Sequence, residues 1–347
     1  MCKNNSFIKR EPLVFRRFQR KGYSLFACLG REVVIGVLSA FTLAHASAKG
    51  ISIKPLPADT VAMATGREVT LGEVSVTGSM APPASGRTVR MVSVLTRADM
   101  AAAPAQSVND LLKYAAGVDV RQRGPMGAQT DVSIRGGNYE QVAILLDGIN
   151  IGDPQSGHNA FDFPVDISEI ERIEVLEGPA GRVYGTSSLS GAINIVTRRP
   201  DETALGARIE GGSHGYASAA ARGALASGRW GNSLSGSYSR SDGYSRNRAG
   251  GLNADYSGGK AFWRGGYASG QLKADWHAGM SLKGYGSNTF YGASWDDQYE
   301  RTFKTTTALR AETRAGALRL RSALYWNHGA DRFELYRGSE AQVPFNY

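Results

Sequence analysis

The stretch from Asp131 to Thr197 constrains the fold of this chain more than any other part of the sequence. It contains four runs rich in strand-forming residues: VSIRG, QVAILL, IERIEVL and GAINIVT. Between these runs lie DG, GDP, GP and YG sequences, where glycine and proline favour tight turns. The pattern predicts a small, turn-rich α/β domain with several buried strands.

Six short motifs follow one another in this stretch, and each would be weak evidence alone because its dipeptides are common. They are Ile134–Gly137, Leu146–Gly148, Ile170–Val175, Gly178–Pro179, Tyr184–Gly185 and Gly191–Ile195. In this order and at these spacings they resemble the plug domain of TonB-dependent outer-membrane receptors. The resemblance implies an α+β plug domain followed by the first strands of an antiparallel transmembrane β-barrel.

The resemblance also implies a structural role for the residues of these motifs. The glycines are expected to permit turns that other residues would strain, and Asp147 is expected to matter for plug folding rather than for chemistry. Arg135 and Arg172 either pair with charges on the barrel wall or are ordinary surface arginines. Glu177 departs from a common family form with arginine before Gly-Pro, so a salt bridge to the wall at that position is in doubt. The complete set of motif residues is Arg135, Gly136, Asp147, Gly148, Glu171, Arg172, Gly178, Pro179, Tyr184, Gly185 and Asn194.

Residues 1–48 have the features of a secretory signal peptide. A cationic stretch precedes an apolar run from Val33 to Leu43, and an A-x-A-type cleavage sequence follows. A membrane-spanning helix is the alternative, but it needs ~20 apolar residues, more than this run offers. The leader carries +6 of the chain's net charge of +9, so the basic composition does not indicate a nucleic-acid partner. Both cysteines, Cys2 and Cys28, also lie in the leader.

Residues 49–87 form a proline-containing segment with few aromatic side chains, which predicts a flexible or extended linker. Within it a short β-prone patch resembles the Ton box of the family. A Ton box must be extended, with free backbone groups, so that TonB can add it to the edge of a sheet. An ordinary linker containing two valines is the alternative. If the resemblance holds, the partners are TonB with ExbB and ExbD, bound through Glu73, Val74, Ser75, Val76 and Thr77.

The plug domain is predicted to span residues 88–200. Residues 88–97 predict its first strand, and residues 107–114 predict a short helix. Ser107 would cap the start of that helix by accepting hydrogen bonds from its first turn. Gly117 is expected to end the helix.

Residues 201–347 change to a period of two, with apolar and polar side chains alternating. The clearest case is 272–283, where Leu272, Trp276 and Leu282 share a face opposite Lys273, His277 and Lys283. About seven such segments are predicted, near 204–212, 215–227, 231–241, 250–258, 270–285, 299–313 and 317–335. Short and longer connections alternate between them.

One apolar face opposite one charged face suits a strand between lipid and an aqueous lumen, although soluble antiparallel sandwiches also alternate. Seven strands cannot close a plugged barrel, which needs about 22 strands. The chain is therefore expected to be the truncated, N-terminal part of a longer outer-membrane protein.

Candidate ligand-contacting residues follow from the position of the family's apical plug loops, at 124–129 and 152–158. They are Gln129, Asp153, Gln155 and His158. Asp296 and Asp297 offer hard oxygen ligands for calcium, although an ordinary acidic loop is the alternative. No other cofactor is expected. No nucleophile elbow or phosphate loop occurs in the sequence, so an enzyme is not predicted.

The predicted function is energy-coupled import of a scarce nutrient through the outer membrane of a Gram-negative cell. The LLDGINIGDPQSGH and IERIEVLEGPAGRVYG passages resemble the cobalamin-receptor branch somewhat more than the siderophore branches. An iron-siderophore or haem ligand is therefore left open. Two further alternatives are a non-transporting remnant or signalling plug, and a soluble periplasmic β-rich binding protein.

Overall fold

The computed structural model describes residues 92–153, 161–179, 187–244, 253–287, 298–315, 318–335 and 337–338. The predicted signal peptide and Ton box lie outside the described residues, as do the predicted site residues Gln155, His158, Tyr184, Gly185, Asp296 and Asp297. Within the described ranges, no helix is long and apolar enough to cross a membrane.

The N-terminal domain is built from short strands and two short helices. In chain order these are β1 (Val92–Leu95), α1 (Arg97–Ala102), α2 (Val108–Leu112), β2 (Val118–Arg123), β3 (Gln129–Ile134), β4 (Val142–Leu146), β5 (Ile149–Asn150), β6 (Ile170–Glu177) and β7 (Gly191–Thr197). Five strands form one sheet in the order β1-β6-β7-β4-β5, and β2 pairs with β3 separately. Among the strand pairs that the structure describes in this domain, only β4–β7 is parallel.

The central strands β4 and β7 are buried on both faces, which accounts for their nearly continuous apolar sequences VAILL and GAINIVT. Ile144 and Ile193 face the main core, where they pack with Leu111 of α2. Ala143 and Ala192 face the other side of the sheet and belong to a second, smaller cluster. The predicted buried strands are therefore confirmed.

Each helix begins with a capping box, and the predicted cap at Ser107 is confirmed. The Ser107 hydroxyl accepts a hydrogen bond from the Asp110 amide at 3.1 Å, and the Asp110 carboxylate accepts one from the Ser107 amide at 3.1 Å. Two other expectations were wrong. Helix α2 ends at Leu112, and Gly117, with φ of 76°, lies in the later turn that leads to β2. The first strand ends at Leu95, two residues before its predicted end, because Thr96 caps α1.

The C-terminal part is a seven-stranded antiparallel sheet in which each strand pairs with the next. The strands are β8 (Ala204–Gly211), β9 (Ala217–Ser227), β10 (Trp230–Ser241), β11 (Tyr256–Ala268), β12 (Leu272–Gly286), β13 (Tyr299–Ala315) and β14 (Leu318–Glu334). The predicted number of strands is confirmed. The predicted fourth segment, 250–258, was wrong because glycines at 258, 259, 265 and 266 interrupt the apolar alternation of β11.

Side-chain burial in this sheet is the reverse of that in a soluble protein. One face is apolar and exposed, with Ile209 86% and Leu324 73% exposed. The other face is polar and buried against the N-terminal domain, with Ser281 1% and Thr306 0% exposed. Strands with lipid on one side and a filled lumen on the other require this arrangement.

Candidate functional site

The Asp147-Gly148 turn connects β4 to β5. Leu146 pairs directly with Ile149, so the turn has two residues, and both have positive φ values of 50° and 81°. A type I′ hairpin turn requires this combination, which explains the Asp-Gly sequence. The turn places the Asp147 carboxylate against the end of β7, where it accepts hydrogen bonds from the Thr197 amide at 2.9 Å and the Thr197 hydroxyl at 2.7 Å.

Two arginines and a histidine, from three strands of the seven-stranded sheet, surround Asp147. Arg264 Nη1 of β11 lies 3.3 Å from both carboxylate oxygens, and His277 Nδ1 of β12 lies 3.8 Å away. Arg310 of β13 donates to the Asp147 backbone carbonyl. Burial raises the pKa of Asp147, but Arg264 and Arg310 outweigh burial and hold this pKa below its usual value. Asp147 therefore lies at an ionic contact between the N-terminal domain and the sheet.

Three of the sequence motifs meet in a chain of hydrogen bonds behind this turn. The Gly148 amide donates to Asn194 Oδ1 at 2.8 Å, and Asn194 Nδ2 donates to Glu174 Oε2 at 2.9 Å. Arg172 Nε then donates to Glu174 Oε1 at 2.8 Å. Glu174 was not among the predicted site residues, although a glutamate inside the apolar run IERIEVL was a signal for a buried partner.

Arg135 and Arg172, whose role the sequence left open, contact acidic residues of their own domain. Arg172 is bound to Glu174, and Arg135 Nε lies 4.0 Å from Glu177 Oε2. Glu177 thus has a cationic neighbour within the N-terminal domain. Gly136 and Gly178 have φ of 74° and 87°, as expected for their turns. Glu171 and Pro179 are exposed.

A second buried carboxylate, Asp162, contacts the sheet nearer the long-connection end of β12 and β13. It accepts hydrogen bonds from the Ser281 hydroxyl at 2.7 Å and the Thr302 hydroxyl at 2.9 Å. Lys283 Nζ is 3.8 Å away. Burial raises the pKa of Asp162, but Lys283, the Ser281 hydroxyl and Lys260 more than offset it, so this pKa lies below its usual value.

A third buried carboxylate, Glu169, lies 3.0 Å from Arg222 Nε of β9. Here burial is the stronger influence and raises the pKa of Glu169 in spite of Arg222. Glu169, Asp162 and Asp147 therefore each place a carboxylate against cations on the inner face of the sheet. Sequence reasoning predicted neither Glu169 nor Asp162 as a contact residue.

A cavity of about 470 Å³ borders β1, and a larger one of about 730 Å³ lies between residues 124–126 and the ends of β8 to β10. The aromatic lining of the larger cavity comes from His214, Tyr216 and Tyr244. The Tyr216 hydroxyl donates to Glu210 at 2.9 Å, and the rings of His214 and Tyr244 are 5.5 Å apart. The larger cavity is within the usual size range of small-molecule sites, about 300–1,000 Å³.

The cavity agrees only in part with the predicted ligand-contacting loops. Residues 124–126 line it as expected. Gln129 is the first residue of β3 and is 4% exposed, so it does not lie in a loop, and its contact with a ligand stays a prediction. Asp153 lies elsewhere, beside Gly329 of β14. The two cavity tyrosines were missed, although each follows a glycine at a strand end, in Gly215-Tyr216 and Gly243-Tyr244.

Comparison with known proteins agrees with this architecture. Residues 86–192 match the TonB-dependent receptor plug domain. A segment of 109 residues is 37% identical to the vitamin B12 transporter BtuB of Vibrio vulnificus, covering 31% of this chain and 18% of that protein. Among solved structures, the alcaligin outer-membrane receptor FauA of Bordetella pertussis aligns with a TM-score of 0.57 at 20% identity, covering 75% of this chain and 42% of FauA. The ferric yersiniabactin uptake receptor FyuA of Yersinia pestis aligns with a TM-score of 0.55 at 20% identity, covering 70% of this chain and 42% of FyuA.

The fold is a plug domain followed by antiparallel strands of an incomplete barrel. The N-terminal domain belongs to the TonB-dependent receptor plug family, as the sequence motifs indicated. The chain spans 18% of the vitamin B12 transporter and about two-fifths of each solved receptor, 42% in both cases.

Proposed function

We propose that this chain is part of an outer-membrane receptor that imports a scarce nutrient by TonB-dependent transport. One observation carries the proposal: a plug domain is held by buried ionic contacts on the polar face of strands whose opposite face is apolar and exposed. In a complete barrel, such an arrangement would close the lumen with a separate domain. A soluble periplasmic protein is disfavoured because it would leave the apolar face in water.

The orientation of the strands in the membrane follows from the lengths of the connections between them. Short turns join β9 to β10 and β11 to β12, whereas longer connections join β10 to β11 and β12 to β13. Outer-membrane barrels place short turns in the periplasm and longer loops outside the cell. The 730 Å³ cavity lies at the long-connection end, so it would open to the medium, where a ligand arrives.

The ligand class we favour is a corrinoid such as cobalamin. The support is the 37% identity of a 109-residue segment to a vitamin B12 transporter, together with the aromatic lining of the cavity. A large planar ligand can pack against tyrosine rings, which combine apolar surface with a polar tip. An iron-siderophore or haem ligand is the alternative, since siderophore receptors share the fold.

Energy coupling would pass through the Ton box at residues 73–77. An added β-strand contact with TonB would transmit force from the inner membrane, where ExbB and ExbD use the proton gradient, to the plug. The ionic contacts of Asp147, Asp162 and Glu169 would resist that force. Import would require their release or rearrangement.

Binding of radiolabelled cyanocobalamin to outer membranes that contain the full-length protein tests the ligand class. Tyr244→Ala should weaken binding because it removes a ring from the cavity. Tyr238→Ala is the matched control, because Tyr238 is 52% exposed on the apolar face of β10. Saturable binding of a ferric siderophore without any binding of cyanocobalamin would show that the ligand is a siderophore and not a corrinoid.

Uptake into cells separates transport from binding alone. A receptor should accumulate the ligand inside cells only when TonB is present. Binding without accumulation in cells that contain TonB would favour the non-transporting remnant or signalling plug.

A further inference from the structure

The outward face of the sheet changes from apolar to cationic between two neighbouring rows of paired residues. The last apolar row consists of Ala219, Tyr238, Gly259, Leu282, Phe303 and Ala330. The next row toward the long connections consists of Ala217, Arg240, Ser257, Gly284, Arg301 and Arg332. This second row contains three arginines and no acidic residue.

Two of these arginines, Arg301 of β13 and Arg332 of β14, are directly opposite each other. Like charges at directly paired positions of an antiparallel sheet are destabilising unless something compensates them. Arg332 Nε is bound to Glu334 at 2.9 Å. In the part of the chain that the structure describes, the Arg301 guanidinium contacts the ring of Tyr299, at 5.3 Å from its centroid. Among the described residues, no acidic side chain is paired with Arg301.

The height of the pair relative to the apolar band is set by the strand geometry. From Phe303 to Thr313 strand β13 advances about 33 Å, at ~3.3 Å a residue. With a tilt of about 40°, this length spans about 25 Å of membrane, the usual height of the apolar band of an outer-membrane barrel. Arg301 lies one row beyond this band, toward the long connections. Its guanidinium is thus at the level of lipid headgroups.

We propose that Arg301 and Arg332 bind a phosphate group of an anionic lipid headgroup in the outer leaflet of the membrane. The inference rests on the proposed function, since it requires that these strands span the outer membrane. Guanidinium groups donate paired hydrogen bonds to phosphate oxygens, so two adjacent arginines can hold one phosphate from both sides. A bound phosphate would also supply a negative charge to Arg301, which lies directly opposite Arg332.

The experiment measures lipid binding to the full-length protein in neutral detergent by native mass spectrometry. The probes are a bis-phosphorylated, acylated glucosamine disaccharide and the same lipid with both phosphates removed. The phosphorylated lipid should bind more tightly. Arg301→Gln and Arg332→Gln should each weaken that binding about fivefold, the effect of one basic residue near a charged membrane surface.

Arg240→Gln is the matched control, because Arg240 is in the same row but faces the small residues Ala217 and Ser257. It should have a clearly smaller effect than either test variant. An equal effect would mean diffuse attraction by the whole rim and would overturn the proposal. Equal binding of the two lipids by the unmodified protein would also overturn it.

Inorganic phosphate serves as a competitor, at a concentration equal to that of the lipid phosphate groups. If it displaces the lipid completely at equal concentration, the site recognises free phosphate rather than a headgroup, and the proposal is wrong. Extraction of membranes at alkaline pH tests the underlying function separately. A protein that is washed off the membrane contradicts the proposed function, whereas one that stays embedded but ignores the lipid phosphates contradicts only this inference.

Discussion

Asp147→Asn should loosen the plug because it removes the negative charge from a buried ionic contact. Arg264 is 4% exposed and donates to the Asp147 carboxylate and to the Thr197 carbonyl. In the variant the guanidinium stays buried, but the carboxylate that neutralises it is gone. The shape of the side chain hardly changes, so the effect reports the charge.

The expected loss is about 3 kcal/mol, at the lower end of the range for removing one partner of a buried ion pair. We take the lower end because the asparagine can still accept a hydrogen bond from the Thr197 amide and because Arg310 keeps its bonds to Asp275 and to the backbone carbonyl of residue 147. With a urea dependence of about 1–3 kcal/mol per molar for a small domain, the unfolding midpoint of the plug should fall by roughly 1–3 M.

The assay follows the reaction of one introduced cysteine with a maleimide. The chain has no cysteine after Cys28, and Ala143 is 1% exposed in the smaller core cluster of the plug. An Ala143→Cys side chain should therefore react only when urea opens the plug. The full-length protein in detergent is titrated with urea, with and without Asp147→Asn.

Two results would refute the reasoning. The first is an unchanged midpoint for Asp147→Asn. The second concerns the double variant Asp147→Asn/Arg264→Gln, which should be more stable than Asp147→Asn alone because the uncompensated cation is removed as well. If the two losses simply add, the contact is not a coupled ion pair.

Three further expectations use the same titration, and a fourth uses a pull-down. Because the pKa of Asp147 is lowered in the folded protein, its contribution to stability is complete above the unfolded value and is lost as pH falls through the folded one. The difference in midpoint between the unmodified protein and Asp147→Asn should therefore be constant from about pH 5 to 7 and shrink below about pH 4; a difference that is unchanged at low pH would contradict this. The pKa of Glu169 is raised in the folded protein, so its ionisation at neutral pH lowers the stability of the fold. Glu169→Gln should therefore lower the unfolding midpoint less than Asp147→Asn does. An equal or larger fall in the midpoint would contradict this. A Cβ atom at Gly279 would lie 2.8 Å from a phenylalanine ring carbon and 3.0 Å from a proline of the plug. Gly279→Val should therefore lower the free energy of unfolding by about 1–3 kcal/mol. Gly259→Val is the control and should lower it less, because the nearest atom to its Cβ would be 3.8 Å away. Val76→Pro should abolish binding to the C-terminal domain of TonB in a pull-down, since proline lacks the amide that an added strand needs; unchanged binding would exclude residues 73–77 as the Ton box.

Signals that are local in sequence predicted much of the fold. The Asp-Gly turn, the Ser107 cap and the buried strand runs each depend on residues a few positions apart, and the structure has them where the sequence indicated. The period of two predicted the outward and inward faces of β12 and β14 for the same reason. Strand β11 was misplaced because glycine has no side chain to mark either face.

The contacts between plug and barrel could not be predicted in this way. Asp147 and Arg264 are 117 residues apart, and Asp162 and Ser281 are 119 apart. Their meeting depends on the register of several strand pairs, where a shift by one residue turns every side chain to the other face. The resemblance directed attention to Arg135 and Arg172, yet the carboxylates of the plug make the ion pairs with the described strands.

The distribution of charge across the plug contact also bears on ion permeation. Arg222, Arg264 and Lys283 on the inner face of the strands each contact an acidic side chain of the plug. Lys260 and Arg310 donate to plug carbonyl oxygens. The plug thus acts as a fixed counter-ion to this part of the wall, and deleting it would leave a pore lined there by cations. Such a pore should conduct chloride in preference to potassium. The sign of the reversal potential, measured across a planar bilayer with a salt gradient, would show which of the two ions permeates more easily.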